Sequence, residues 1–142
     1  VKLKPGLQGG WYSEQINQAL CDFLSPWNIR GQNRHFGWNI RQHDIIAYLL
    51  DIDFIEEISG VSLLQISPVG NDSDLMFAMT DNARSKDESK DMHPAYPWSI
   101  AVPMNQHWIV VQDRYKTEKA KPIGIAELKI GSTFIIAPRE TP

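Results

Sequence analysis

Two stretches of apolar residues at helical spacing constrain the fold of this chain more than any other feature. In both stretches the apolar residues recur three or four positions apart, which places them on one side of an α-helix. The first stripe is Ile16, Ala19, Leu20, Phe23 and Leu24, and the second is Ile45, Ile46, Leu49 and Leu50. We expect the first helix to begin at Ser13 as its N-cap and to end before Pro26, and the second to span 42–50. Both stripes need a common surface on which to be buried.

Stretches with β-strand character surround the two helices. The expected strands are 1–6, 35–40, 61–69, 98–104 and 107–113, and the last two are expected to pair as a hairpin. One further helical turn is expected at 54–58. The resulting fold class is α+β: a small mixed sheet with two helices on one face, as in a split βαβ or ferredoxin-like variant, plus a C-terminal extension.

The chain of 142 residues fits one domain followed by an extension. Residues 1–115 are expected to form an α+β assembly domain. Within it, 71–97 is expected to be a long charged loop, because the run 81–91 has too few apolar side chains to order itself. Residues 116–142 are expected to form a linker and an extended C-terminal docking tail. The chain begins at Val1 without a methionine, and we interpret it as a segment of a longer polypeptide.

Charge and cysteine content disfavour several classes of function. A formal net charge of −3 and a pI of about 5.8 give no reason to expect nucleic-acid binding, which needs clustered Lys and Arg. No apolar run approaches the ~20 residues that a membrane helix needs, so direct membrane insertion is not expected. Cys21 is the only cysteine, which excludes a disulfide within the chain and fits assembly in a reducing cytoplasm.

Residue types with catalytic or metal-binding chemistry are present, but not in motifs that use them. The histidines form no short ligand motif with one another or with carboxylates. One acidic cluster could act as acid and base or bind a divalent cation, but its apolar neighbours favour the solvated side of a connection, and docking to a basic partner is favoured over catalysis. We therefore expect no enzyme, no cofactor and no metal site. The residues concerned are His35, His43, His93 and His107, and Asp51, Asp53, Glu56 and Glu57.

Aromatic residues are the feature most typical of an assembly component. Five tryptophans are many for a domain of this size, and aromatic side chains are enriched in the buried centres of protein interfaces. The C-terminal tail adds apolar residues that could join a sheet edge as a strand. The candidate interface residues are Trp11, Trp27, Trp38, Trp98 and Trp108, with Ile125 and Phe134 of the tail.

Six short patterns, taken in their order along the chain, resemble the C-terminal region of baseplate J-like proteins. These proteins are wedge components of contractile phage tails and phage-tail-like contractile injection systems. The resemblance covers residues 1–113, and each pattern has a physical basis: a proline stop, an apolar helix face, a glycine turn or a tight hairpin. The patterns are 19–27 (ALCDFLSPW), 36–40 (FGWNI), 43–46 (HDII), 59–64 (SGVSLL), 101–103 (AVP) and 107–109 (HWI).

The resemblance implies a structural wedge protein without catalytic residues. The implied partners are other baseplate wedge subunits, the hub or spike proteins and the sheath. Assembly is expected in the bacterial cytoplasm, with a final location in a phage tail or an extracellular injection particle. The segments 51–58 and 71–97 exceed the plain domain of this family and indicate a divergent wedge subunit. Two other classes stay open: a non-catalytic peptide- or ligand-binding α+β module with an aromatic groove, and an enzyme that uses the acidic cluster.

Overall fold

The computed structural model describes residues 1–27, 35–69, 76–84, 91–112, Tyr115 and Gly124. Its elements in chain order are β1 (Lys2–Leu3), α1 (Gly9–Leu24), α2 (Gln42–Leu50), β2 (Ile55–Glu57), β3 (Leu64–Val69), β4 (Met76–Asp81) and a 3-10 helix (Asn82–Arg84). Strand β1 pairs with β2, and β3 pairs with β4, so the strands form two separate antiparallel two-stranded sheets. The expected α+β class is confirmed.

The two helices occupy the two apolar stripes. Helix α2 has the bounds expected from the sequence, and α1 ends at Leu24 because Ser25, ahead of Pro26, is extended with a ψ of 125°. Helix α1 begins at Gly9, so the predicted N-cap at Ser13 is wrong. The Ser13 hydroxyl instead donates to the Gly9 carbonyl at 2.6 Å, a bond to residue i−4 that forms inside a helix. Among the described residues, no helix has the length and apolar character needed to cross a bilayer.

Both helices contribute to one core on one face of the β1–β2 sheet. Leu3 and Ile55 are paired across that sheet and therefore share a face. Leu50, which the sequence places in the second stripe, is 48% exposed and lies outside the core. It follows Leu49 by about 100° around the helix axis, which turns its side chain away from the sheet. The buried core residues are Ile16 and Leu20 of α1, Ile45 and Leu49 of α2, Leu3 of β1 and Ile55 of β2.

A third extended segment lies beside β1. The Val1 amino nitrogen donates to the Val110 carbonyl at 2.8 Å, and the Val1 carbonyl accepts a hydrogen bond from the Gln112 N–H at 2.8 Å. The side chains of Ile109 and Val111 pack against the core, whereas Val110 between them is exposed. This segment therefore extends the surface that the helices cover.

The expected pairing of strands is wrong within the described residues. The single mixed sheet of a split βαβ or ferredoxin-like variant does not form there, since the four strands pair as two separate antiparallel sheets. The segments 98–104 and 107–112 do not pair as the expected hairpin, because the end of the second one bonds to β1 instead. The segment 35–40 contributes one isolated bridge, between Ile40 and Met92.

Two further expectations about local structure are wrong. Residues Ile55–Glu57 form strand β2 rather than part of a helical turn, because Ile55 pairs with β1 and is buried. Strand β4, Met76–Asp81, lies within the segment 71–97 that is expected to be a loop. Its apolar residues precede the charged run, and pairing with the preceding strand β3 orders them where their own composition does not predict order.

Gly37 is a position where the backbone requires glycine. Its φ of +72° is in the left-handed region, and a Cβ there would lie 2.7 Å from the Pro97 carbonyl oxygen. Gly6 has a similar φ of +83°, but nothing lies within 4 Å of such a Cβ. We expect Gly6→Ala to lower the free energy of unfolding by about 1–2 kcal/mol, and Gly37→Ala to lower it by about 1–3 kcal/mol more. Urea denaturation of both variants measures the difference, and equal losses would contradict the close approach of Pro97.

Candidate interaction surface

Strands β3 and β4 form a hairpin whose outward face is apolar. In the antiparallel register Ile66 lies opposite Met79, and Pro68 lies opposite Phe77, so these side chains share one face. Leu64 is on the same face, because it precedes Ile66 by two positions in the strand. Apart from the proline, the side chains of this face are 43–65% exposed. The hairpin face is defined as Leu64, Ile66, Pro68, Phe77 and Met79, and the charged residue Asp81 stands opposite Leu64 at its end.

The opposite face of the hairpin carries the polar side chains of both strands together with Ala78, and it faces residues 91–96. Gln65, Ser67 and Thr80 line an open cavity of about 340 Å³ there, and the Gln65 amide donates to the Ser67 hydroxyl at 2.9 Å. A sheet that is covered on one side normally buries its apolar face and exposes its polar face. Strand β3 does the reverse, since Leu64 and Ile66 are exposed and Gln65 and Ser67 are partly buried, whereas residues 77–80 of β4 are exposed on both faces. Because an isolated two-stranded hairpin is marginally stable in water, such a face is typical of a surface that a partner covers.

A second exposed apolar surface runs along residues 98–104. The even-numbered residues of this segment are exposed and the odd-numbered ones are partly buried. A period of two is that of an extended chain that lies with one side on the protein. The exposed side chains, which define the 98–104 face, are Trp98, Ile100, Val102 and Met104, at 47–69% exposure.

Formal charges are few on both surfaces. Residues 92–112 contain no Lys, Arg, Asp or Glu, and neither do 61–69 or 76–80, although Asp81 at the end of β4 stands opposite Leu64. The buried centres of protein interfaces are depleted of charged residues in the same way, whereas the solvent-exposed surface of a free domain normally mixes both signs of charge. The low density of charge therefore favours contact with an apolar partner over contact with a charged one.

The predicted tryptophans divide into four that are exposed and one that is not. Trp38 is partly buried, and its ring lies edge-on to that of Phe23 with the centroids 6.1 Å apart. Ile125 and Phe134 of the predicted tail, like the rest of 116–142 apart from Gly124, lie outside the described residues. The other four tryptophans, at 64–69% exposure, are Trp11, Trp27, Trp98 and Trp108.

Sequence reasoning missed the hairpin face and most of the 98–104 face. The period of two is visible at Leu64 and Ile66, and again at Ile100 and Val102. Alternation predicts that a strand has two unlike faces, but it does not say which of them is covered. The usual assumption, that the apolar face of a strand is buried, would have assigned both surfaces to the core. Phe77 falls in the segment interpreted as a loop, where no face is defined.

Asn17, Cys21 and His107 come together where α1 meets the chain near Asn105. The Asn17 amide nitrogen donates to the Asn105 carbonyl at 3.1 Å, and the Asn17 amide oxygen accepts from the His107 backbone N–H at 2.8 Å. The His107 Nδ1 lies 3.1 Å from that oxygen and 4.0 Å from the Cys21 sulfur. The Cys21 thiol donates to the Met104 carbonyl at 3.4 Å.

This cluster combines the side-chain types of a nucleophilic site, but its geometry is that of a structural contact. Burial raises the pKa of the Cys21 thiol and lowers the pKa of His107, so both groups are neutral near pH 7. The ring nitrogen that faces the thiol also faces the Asn17 amide oxygen, and a nitrogen that donates there cannot accept the thiol proton. The contacts of Asn17 therefore hold residues 105–107 on α1.

Histidines and carboxylates do not converge on a metal site in the part of the chain that the structure describes. His43 Nδ1 lies 3.0 Å from the Asp44 carboxylate at the start of α2, where the histidine side chain is exposed. In the acidic cluster, Glu56 forms an ion pair with Lys2 at 3.1 Å across the β1–β2 sheet, and Asp51 is exposed. The cluster thus lies on the solvated side of the connection after α2.

No family model, curated protein or solved structure matches this chain. The hairpin face and the 98–104 face are the features of the molecule from which a function can be inferred.

Proposed function

We propose that this chain is a non-catalytic assembly domain, a structural baseplate wedge component of a contractile injection system or phage tail. The observation that carries the proposal is the hairpin face, where large apolar side chains of both strands are exposed while the polar side chains Gln65 and Ser67 of β3 are partly buried. In an isolated chain this arrangement is unfavourable, because it leaves large apolar side chains in water. Neighbouring subunits cover the hairpin face in the assembled particle.

The size of the hairpin face is sufficient to contribute substantially to docking. A large apolar side chain presents on the order of 200 Å² when fully exposed, so the four that are 43–65% exposed present about 400 Å². At about 25 cal/mol per Å², covering this area contributes about 10 kcal/mol before the costs of association are subtracted. A standard interface buries about 800 Å² per partner, and the 98–104 face and the exposed tryptophans supply further area.

The baseplate role is supported by the six sequence patterns that resemble baseplate J-like proteins. A wedge domain has to contact several neighbours at once, which requires docking surfaces and no active site. The two exposed apolar surfaces, which carry few charges, fit that requirement. The proposed partners are other baseplate wedge subunits, the hub or spike proteins and the sheath, with assembly in the bacterial cytoplasm.

The test compares two adjacent residues of β4 that lie on opposite faces of the hairpin. Met79→Lys places a charge on the hairpin face, and Thr80→Lys places the same charge on the polar face; both positions are exposed in the isolated chain. We expect Met79→Lys to reduce the fraction of chain assembled with neighbouring wedge subunits at least about tenfold, because docking would bury an unpaired ammonium group. We expect Thr80→Lys to change that fraction by less than about twofold.

Assembly is measured by co-expression with the neighbouring wedge subunits, affinity purification and size-exclusion chromatography. Circular dichroism and urea denaturation show whether each variant keeps the fold. If folded Met79→Lys assembles as well as the unsubstituted chain, the hairpin face is not the docking surface and the proposal is wrong.

The alternative of a peptide- or ligand-binding module has weaker support. The cavity on the polar side of the hairpin has a volume of about 340 Å³, near the lower end of the range of ~300–1,000 Å³ for ligand sites. It is open to solvent, whereas a ligand site normally buries most of its ligand. The large apolar side chains of the hairpin face do not line it.

A further inference from the structure

The β3–β4 hairpin is attached to the core at its base, which is defined as residues 61–63 and Asn82. Strands β3 and β4 pair with each other and not with β1 or β2. An open cavity lies between the hairpin and residues 91–96, so packing on that side is incomplete. The position of the hairpin relative to the core therefore depends on the contacts at its base.

The residues that lead into β3 are anchored on the core. The side chains of Val61 and Leu63 pack against the core residues. The Gln42 side-chain amide, at the start of α2, donates to the Val61 carbonyl. These contacts hold the entry into the hairpin. A hairpin held at one strand alone pivots about that connection, so its direction is fixed only if the other strand is held as well.

Asn82 holds the other strand at the same point. Its side chain is 2% exposed, and its backbone N–H donates to the Leu63 carbonyl at 3.0 Å. Its side-chain oxygen accepts from the Leu63 N–H at 2.6 Å. In a regular antiparallel ladder both bonds of such a pair join backbone groups. Here the chain turns into the 3-10 helix at Asn82, and the side-chain oxygen takes the place of the backbone carbonyl.

We propose, building on the assembly role, that Asn82 is the positioning residue of the hairpin face. By bonding to Leu63 it ties the end of β4 to the segment that α2 and the core already hold. The hairpin face then projects from the core in one direction. A surface that is already held in its docking orientation loses less conformational freedom when a partner binds, which raises the affinity.

Amide hydrogen exchange in the full chain tests whether Asn82 holds the hairpin. In Asn82→Ala the amides of β3 and β4 should exchange at least about tenfold faster, because the last bonds of the ladder are lost and the hairpin opens locally. The amides of α1 and α2 should change by less than about twofold. A merely structural role would open the whole chain and accelerate exchange in the helices equally.

A conservative variant at the same position provides the rescue. Asn82→Asp keeps a side-chain oxygen that can accept from the Leu63 N–H. The hairpin amides should therefore exchange at least about threefold more slowly in Asn82→Asp than in Asn82→Ala. Equal exchange in the two variants overturns the role of the side-chain oxygen.

Assembly with neighbouring wedge subunits is the second readout, measured by co-expression and affinity purification. Asn82→Ala should reduce the assembled fraction at least about fivefold, although the hairpin face itself is unchanged. Ile45→Val is the matched control, because it removes a methyl group from a core residue that is 1% exposed and does not belong to the hairpin base. It should loosen the core but change the assembled fraction by less than about twofold.

Three results overturn the inference. The first is unchanged exchange of the hairpin amides in Asn82→Ala. The second is equal acceleration in the hairpin and in the helices. The third is a loosened hairpin in Asn82→Ala that assembles as well as the unsubstituted chain, while Met79→Lys abolishes assembly.

Failure of this inference is distinguishable from failure of the proposed function. If Met79→Lys abolishes assembly and Asn82→Ala leaves both exchange and assembly unchanged, the proposed function is supported and the role of Asn82 is overturned. If the hairpin amides respond to Asn82→Ala as expected but Met79→Lys does not change assembly, Asn82 holds the hairpin and the hairpin face is overturned as the docking surface.

Discussion

Replacing Leu49 with alanine should lower the free energy of unfolding by about 2–5 kcal/mol, whereas replacing Leu50 should lower it by less than about 1 kcal/mol. Leu49 is 2% exposed and lies in the core, and Leu50 is 48% exposed. Both substitutions remove the same atoms from the last turn of α2, so the difference in helix propensity between leucine and alanine cancels. The difference in the free energy of unfolding between the two variants therefore measures the effect of burying the leucine side chain. Urea denaturation followed by circular dichroism measures it.

A volume-conserving substitution at the same position provides the control. Leu49→Met should lower the free energy of unfolding by less than about 1.5 kcal/mol, because methionine fills nearly the same space without a cavity. The loss in Leu49→Ala is a large part of the ~5–15 kcal/mol that stabilises a domain of this size. Equal losses in Leu49→Ala and Leu50→Ala would contradict the orientation of α2 in the core.

Asn17→Ala should lower the free energy of unfolding by roughly 2–4 kcal/mol, since each buried polar group left without a partner costs about 1–3 kcal/mol. The Asn17 side chain is 8% exposed, and its amide bonds both to the Asn105 carbonyl and to the His107 backbone N–H. Alanine cannot replace either bond. The expected consequence is that residues 105–107 separate from α1 more readily than the rest of the protein unfolds.

Asn105→Ala is the matched control, because the Asn105 side chain is exposed and its bond to Asn17 uses the backbone carbonyl. This variant should change the free energy of unfolding by less than about 0.5 kcal/mol. Amide hydrogen exchange supplies a second readout, in which the His107 N–H should exchange faster in Asn17→Ala than in the unsubstituted chain. Unchanged protection of that N–H would show that Asn17 does not hold the segment in place.

The helical part of the fold was largely predictable from the sequence. The spacing of Ile16 and Leu20, and of Ile45 and Leu49, depends on the 3.6-residue period of the helix and on nothing distant in the chain. The error concerns the residue at which the first helix begins, which the helical period does not determine. Ser13 can cap a helix or bond inside one, and only the start of the helix at Gly9 distinguishes the two roles.

The candidate surface was predictable only in part. The sequence indicates an excess of exposed aromatic rings, and the tryptophans outside the core are exposed in the structure. It does not indicate the hairpin face, because Phe77 and Met79 become a strand only by pairing with residues 64–69. The burial of Asn17 could not be predicted from the sequence either, because its partners near His107 lie about ninety positions away along the chain.

By itself, the sequence determined the α+β class, the two helices and most of the core they bury, because helical periodicity is a local property that survives any tertiary arrangement. Only the tertiary structure decided which strands pair, and which face of the β3–β4 hairpin and of residues 98–104 meets solvent. The physical reason is that the residues of a strand can show that its two faces differ, but not which face will be covered or which edge will be paired. The distant residues that pack against it choose between them, and here they leave the apolar faces outside.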